Sequence, residues 1–196
     1  MKPCIYKFPL HEELKPVLLK SIEYSDGKQV QHDPYSADDS ISRTDYYSEK
    51  SLDEKGYLTL LHNNLNDFYA TLHDHYCLRD SQLLNGWYQQ YTVGDKQGWD
   101  CHGQTSVAFV YYLELPDPKE CTELIEYDTM VKYQPDVVEG DIFVFPGMIP
   151  HRSPIINGDQ RKTVISCNIS FGYVDSPQLE SRLKNYEQWF SLGWEI

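Results

Sequence analysis

The sequence predicts a mainly β fold with flanking helices, of α+β type, and three observations carry that reading. From Asn85 onward, the segments GWYQQYTV, TSVAFVYYLEL, DIFVFP and RKTVISCNISFGY are rich in β-branched and aromatic residues and are bounded by Gly, Pro and Asp. Upstream, two stretches repeat their apolar residues three or four apart, the spacing of a helix face. The length of 196 residues, with 40% hydrophobic and 24% charged residues, suffices for one sizeable core. The expectation is a single domain over 1–196, with helical support over about 1–80, a β core over about 85–175 and a C-terminal helix over about 176–196.

Taken in order, residues 3–10 (PCIYKFPL) read as a short strand. HEELKPVLLKSIEY follows as a helix, with Leu14, Val17, Leu18 and Ile22 on one face and Pro16 in its first turn. From 25 to about 51 the chain is polar and lacks a helical period, which predicts a long loop with room for a short strand. That loop reads either as a lid over a site or as a surface excursion. Tyr57, Leu60, Leu61, Leu65, Phe68, Leu72 and Tyr76 then predict one long amphipathic helix over roughly 53–76. The strands come next, and SPQLESRLKNYEQWFSLGW closes the chain as a further helix. Helices followed by a run of strands point to a closed or two-sheet β core with the helices on one outer face.

Composition removes several function classes. A formal charge of -13 would repel a phosphate backbone, so nucleic acid is not an expected partner, and no apolar run approaches a membrane span. The acidity suits a basic peptide substrate or serves solubility. The N-terminus has no uninterrupted apolar stretch, and five scattered cysteines without a CxxC pair fit reduced thiols, so a cytoplasmic protein is expected.

The chemistry-bearing residues gather in the strand region. GWDCHGQTS places Asp100 and His102 two apart, so on a strand both side chains share a face and Cys101 points away. EGDIFVFPGMIPHRSP delivers His151 after an apolar strand and a Pro146-Gly147 turn. Two histidines and one carboxylate with open positions form the facial triad of non-haem Fe(II) oxygenases. Ten residues after His151 comes Arg161, whose planar fork suits a carboxylate, with the Thr163 hydroxyl two positions on. His73 and His75 lie on the predicted helix facing apart, and His11-Glu12-Glu13 starts another helix, so neither group reads as a site.

Together these segments resemble the 2-oxoglutarate and Fe(II)-dependent oxygenases, in particular the small prolyl-4-hydroxylase-like group of phages and bacteria. The likeness runs from Asn85 to about Phe171, through NGWYQQYTVGDKQGWDCH, SVAFVYYLELPD, EGDIFVFPGMIPHRSP and RKTVISCNISF. It implies a double-stranded β-helix (jelly-roll) core with the N-terminal helices packed on one sheet. It also implies Fe(II), 2-oxoglutarate as cosubstrate, O2, and hydroxylation of a peptidyl proline or another amino-acid side chain. By the same resemblance Asp100, His102 and His151 are the metal ligands, Arg161 and Thr163 bind the far carboxylate of 2-oxoglutarate, and Tyr91 hydrogen-bonds the cosubstrate. Asn168 matches a further position, with either a site or a structural role.

One departure matters: the family pair is His-x-Asp, whereas here Asp100 precedes His102. A second register, His102-Gly103-Gln104, would leave no carboxylate. A jelly-roll or cupin-like metal protein of other activity, an inactive relative and a binding module are the alternatives that this departure keeps open.

Overall fold

The computed structural model describes residues 2–31 and 38–191, with 185–191 as backbone only. Among these residues the chain runs through β1 (Cys4–Lys7), α1 (His11–Glu23), β2 (Lys28–Gln31), β3 (Ser40–Thr44), α2 (Gly56–His62), α3 (Asn66–Tyr76), β4 (Ser81–Tyr91) and β5 (Val107–Glu114). It continues through β6 (Glu123–Ile125), β7 (Lys132–Tyr133), β8 (Asp141–Pro146), β9 (His151–Arg152), β10 (Lys162–Phe171) and α4 (Ser176–Ser191). The large antiparallel sheet has the order β1-β8-β5-β10-β4-β3-β2, and β7-β6-β9 form a second sheet. No helix among the described residues is long and apolar enough to cross a membrane.

The central strands read as nearly continuous apolar runs because both faces of the large sheet are covered. Alternation sends Val107, Phe109, Tyr111 and Leu113 of β5 toward the helices, where they meet Leu18, Ile22, Leu61 and Phe68 in one core cluster. The even residues Ala108, Val110 and Tyr112 point the other way, into a second cluster with Phe143, Phe145 and Leu124 between the two sheets. This is the double-stranded β-helix with helices packed on one sheet, as the sequence predicts. The space between the sheets is the one that matters for function.

Two expectations change. The helix expected over 53–76 is divided into a 3-10 turn at Leu52–Glu54, then α2 and α3. Asn64 breaks it: its side-chain amide donates to Leu60 O at 2.9 Å and its backbone N–H shifts to Leu61 O, so the side chain competes for the helical carbonyls. Leu65 stays buried across the break, which is why the apolar period continues through it. The 25–51 stretch carries β2 and β3, which extend the sheet edge through Arg43↔Gln90 and Thr44↔Gln89; residues 32–37 lie outside the described residues. The polar strand β3, next to the edge strand β2, is pinned by Asp95, which accepts from Ser40 Oγ at 2.8 Å and Ser42 N at 3.1 Å. The C-terminal helix runs to Ser191, and the rest of the expected span, 192–196, lies outside the described residues.

Candidate metal centre and its pocket

The minor sheet is wider than its regular strands. Backbone bonds Gly94 N to Ile156 O (2.8 Å), Ile156 N to Asp95 O (2.9 Å) and Gln97 N to Ser153 O (3.1 Å) lay 94–100 antiparallel to 151–156. At the end of this ladder Asp100 and His151 exchange both bonds, each at 2.9 Å. Directly opposed residues of an antiparallel pair present their side chains to the same face. The carboxylate and the imidazole are therefore neighbours by backbone pairing, although 51 positions separate them in the chain. His102 joins them because its N–H donates to Gly147 O at 2.7 Å. Only a glycine fits at 147: a Cβ there would stand 2.8 Å from Thr105 O and 3.1 Å from His102 O.

Ligand atoms of Asp100, His102 and His151 all lie within 4.8 Å of one another. The His151 Nδ1–H donates to Ile149 O at 2.9 Å, and the His102 Nδ1–H donates to Asn168 Oδ1 at 2.7 Å. Asn168 is oriented in turn by its own bond to Asn85 Oδ1 at 2.9 Å. Both histidines thus keep Nε2 as the nitrogen available for a cation, the arrangement that partners of metal-binding histidines impose. Burial pushes the His151 pKa down to about 4, with the positive field of His102 acting the same way, so the ring is neutral at pH 7. Partial burial of Asp100 acts to raise its pKa, but the hydrogen bond and charge of His102 and the charge of His151 outweigh it, and the carboxyl sits below its ordinary value. Asp100 Oδ2 lies 3.2 Å from His102 Nε2, close enough for both atoms to meet one cation. The donor set fits a divalent transition metal with positions left over. Gln104, the alternative third position, is exposed.

Behind the cluster, between the sheets, a pocket is lined by His102 and His151 at one end and by Tyr91, Ser153, Lys162 and Val164 deeper in. Lys162 is 1% exposed, and its ammonium donates to Glu120 O at 2.6 Å and Ser153 Oγ at 2.8 Å, both neutral oxygens. Its Nζ lies 5.0 Å from the centre of the Tyr91 ring. Burial brings its pKa down to about 8, against smaller opposing effects of Cys121 and Glu120. The Tyr91 hydroxyl bonds Gln97 Oε1 at 3.3 Å, and burial raises its pKa above the ordinary value.

Arg161 and Thr163, expected to bind the cosubstrate carboxylate, are not among the residues that line this pocket. The Arg161 fork closes on Glu114, with Nε to Oε2 at 2.8 Å and an Nη2 bond to Oε1 at 3.0 Å, and the Thr163 hydroxyl donates to the same carboxylate. The reason is strand parity. Lys162, Val164 and Ser166 of β10 line the pocket, while Ile165 and Ile169 enter the core under the helices. Asn168 shares the even parity and bonds His102, so pairing it with an odd-numbered cation was the inconsistency that could have exposed Lys162. The decoys behave as expected: His73 Nε2 bonds Ser81 Oγ at 2.8 Å and His11 Nδ1 bonds Tyr111 OH at 2.8 Å, both remote from the cluster.

No protein-family model and no curated protein matches this chain. Solved structures do. The non-haem alpha-ketoglutarate-dependent epimerase SnoN of nogalamycin biosynthesis superposes with a TM-score of 0.66 at 9% identity, over 86% of this chain and 77% of its own. HygX from Streptomyces hygroscopicus, with nickel and 2-oxoglutarate bound, gives 0.62 at 12% identity over 86% and 82%. The viral collagen prolyl hydroxylase of Paramecium bursaria Chlorella virus-1, a 2-oxoglutarate complex, gives 0.52 at 11% identity over 86% and 96%. This chain shares the fold of these solved structures. In this fold the Asp100-His102-His151 cluster and the Lys162 pocket lie side by side, where the sequence led us to expect a metal but not that lysine.

Proposed function

We propose that the chain is a 2-oxoglutarate- and O2-dependent hydroxylase that acts on an amino-acid side chain, a peptidyl proline being one substrate of that class. The observation that carries this reading is the two-histidine, one-carboxylate cluster opening onto a pocket that ends in a buried, carboxylate-free lysine. Asp100, His102 and His151 would hold Fe(II), and Lys162, in place of Arg161, would take the far carboxylate of 2-oxoglutarate. When bound, the metal and its cosubstrate supply the oxidising chemistry, releasing succinate and CO2 as the substrate is hydroxylated.

The chain's own residues do the rest. Asn168 and Ile149 O orient the two imidazoles, so the metal meets a preset donor geometry. Lys162 offers N–H donors inside a shielded cavity, where a charged hydrogen bond is strong. Phe145, packed 4.7 Å from the His151 ring, together with Val164 keeps water from that end of the pocket. The reversed order of Asp100 and His102 leaves the two-histidine, one-carboxylate donor composition unchanged.

The test is succinate release from 2-oxoglutarate by purified protein with Fe(II), alongside metal titration. Asp100→Ala is expected to abolish iron-dependent succinate formation while retaining a native melting curve. Full activity in that variant would sink the assignment, and tight metal binding without any 2-oxoglutarate turnover would point to a jelly-roll metal protein of other activity.

A further inference from the structure

Three polar groups in the wall of the deep pocket have no partner among the described residues. Strand alternation sends Trp87, Gln89 and Tyr91 of β4 to the face that lines the pocket, and Gln97 joins them from the 94–100 segment. Trp87, Gln89 and Gln97 also line a neighbouring groove, so they form the wall shared by the two spaces. The Trp87 ring centre is 5.9 Å from that of the candidate ligand His102, which puts this wall beside the metal cluster.

The direction of one hydrogen-bond chain fixes how Gln97 stands. Lys162, as an ammonium, can only donate, and it donates to Ser153 Oγ at 2.8 Å. The Ser153 hydrogen therefore goes onward to the Tyr91 oxygen, and the Tyr91 hydrogen to Gln97 Oε1 at 3.3 Å. Gln89 Nε2 donates to the same Gln97 oxygen at 3.2 Å. With its oxygen held by two donors, Gln97 keeps its amide NH2 group free, and Gln89 keeps its Oε1 free. Neither atom has a partner among the described residues, and neither is sealed off from the pocket.

A second observation is independent of those amides. Trp87 is 6% exposed, and its buried indole N–H has no acceptor among the described residues. Buried donors are almost always paired, so an unpaired one in the wall of a binding space points to a ligand oxygen. Two free donors beside one free acceptor have a definite complement. A carboxylate would satisfy the donors but set its charge against Gln89 Oε1, and an ammonium would do the reverse. An amide group brings both halves: its carbonyl oxygen has two lone pairs for Gln97 Nε2 and Trp87 Nε1, and its N–H serves Gln89 Oε1. The rings of Tyr47 and Trp99 line the groove, 46% and 40% exposed, and give apolar surface to the rest of such a molecule.

We propose that Trp87, Gln89 and Gln97 read an amide group of the substrate, a peptide bond or a side-chain carboxamide, and hold it beside the metal cluster. The inference deepens the proposed function and rests on it for the reaction that follows binding, but binding itself needs no turnover.

The experiment is nuclear magnetic resonance titration of the purified full chain at pH 7 with two neutral probes. N-acetylproline methylamide has one N–H, and N-acetylproline dimethylamide has the same carbonyls and no N–H. The methylamide is expected to bind roughly 2- to 12-fold more tightly, the range of one neutral hydrogen bond. It should also move the Trp87 indole proton resonance, assigned by its loss in Trp87→Phe. Gln89→Leu should remove the ratio between the two probes. Gln97→Glu keeps an oxygen for Tyr91 and Gln89 but replaces the free NH2 by an acceptor, and it should weaken both probes together. Propionamide, a carboxamide without a peptide bond, separates the two sources of the amide, and binding of either supports the proposal. Equal binding of the two proline amides, a preference for methyl glucoside over every amide, or no binding of any amide overturns it, and these wild-type comparisons decide even where a variant does not fold. A raised 2-oxoglutarate requirement in Gln89→Leu with amide binding unchanged would assign these groups to the cosubstrate and overturn it too. Amide binding in a protein that releases no succinate would leave this inference standing and count against the hydroxylase reading alone.

Discussion

Replacing Lys162 by Met tests which cation serves the deep pocket. The ammonium sits among neutral oxygens, Glu120 O at 2.6 Å and Ser153 Oγ at 2.8 Å, and the side chain is 1% exposed. A hydrogen bond to a charged group contributes about 1.5–3 kcal/mol, which corresponds to roughly 10- to 150-fold in affinity for the carboxylate it would hold. The apparent KM for 2-oxoglutarate in a succinate assay is therefore expected to rise by that factor in Lys162→Met. Stability should move far less. A pKa of about 8 against the ordinary 10.5 means that burying the charge costs on the order of 3 kcal/mol at neutral pH. Removing the ammonium relieves that cost while stranding two acceptors worth about 1–3 kcal/mol each, so the two effects nearly offset. Arg161→Ala is the contrast: it opens a partly exposed pair with Glu114, costs on the order of 1 kcal/mol or less, and leaves the KM unchanged. A large KM increase in Arg161→Ala with none in Lys162→Met would refute the reasoning outright.

Two further outcomes follow from the same geometry. The cosubstrate KM should be flat below pH 8 and climb about tenfold per pH unit above it, as Lys162 loses its proton. In the absence of ligand the unfolded chain holds that proton more tightly, so wild-type stability should rise between pH 8 and 10.5 relative to Lys162→Met, and parallel melting curves for the two would contradict the assignment. Asn168→Ala removes the acceptor that fixes the His102 tautomer and should weaken Fe(II) binding about 10- to 100-fold by titration; an unchanged metal affinity would show that His102 is oriented by other contacts.

The fold was legible because its central strands carry both signals at once. The apolar runs of β5, β8 and β10 are long enough to stand out, and the boundaries of β8 at Asp141–Pro146 coincide with the expected DIFVFP segment. The strands that escaped notice are polar, short or at an edge. In β3 the stabilising partner is the Asp95 carboxylate, fifty-odd residues away, and β6, β7 and β9 hold two or three residues each, too few for a period to show. The helix break at Asn64 was hidden for the opposite reason, since Leu65 and Phe68 keep the apolar spacing intact across it.

At the site, residue types and local spacing single out Asp100, His102 and His151, because a strand puts i and i+2 on one side and a histidine after an apolar strand stands out. Their convergence is decided by tertiary structure, through the Asp100–His151 backbone pair and the His102–Gly147 bond. The choice between Arg161 and Lys162 also lay beyond composition and motif. Adjacent residues of a strand face opposite sides, and only the sheet's placement between helices and the second sheet says which side is the pocket. The sequence by itself determined a β core and its helical cover, and it named the three residues that form the candidate metal cluster. Which cation lines the pocket depends on register and long-range packing, which a linear pattern does not carry.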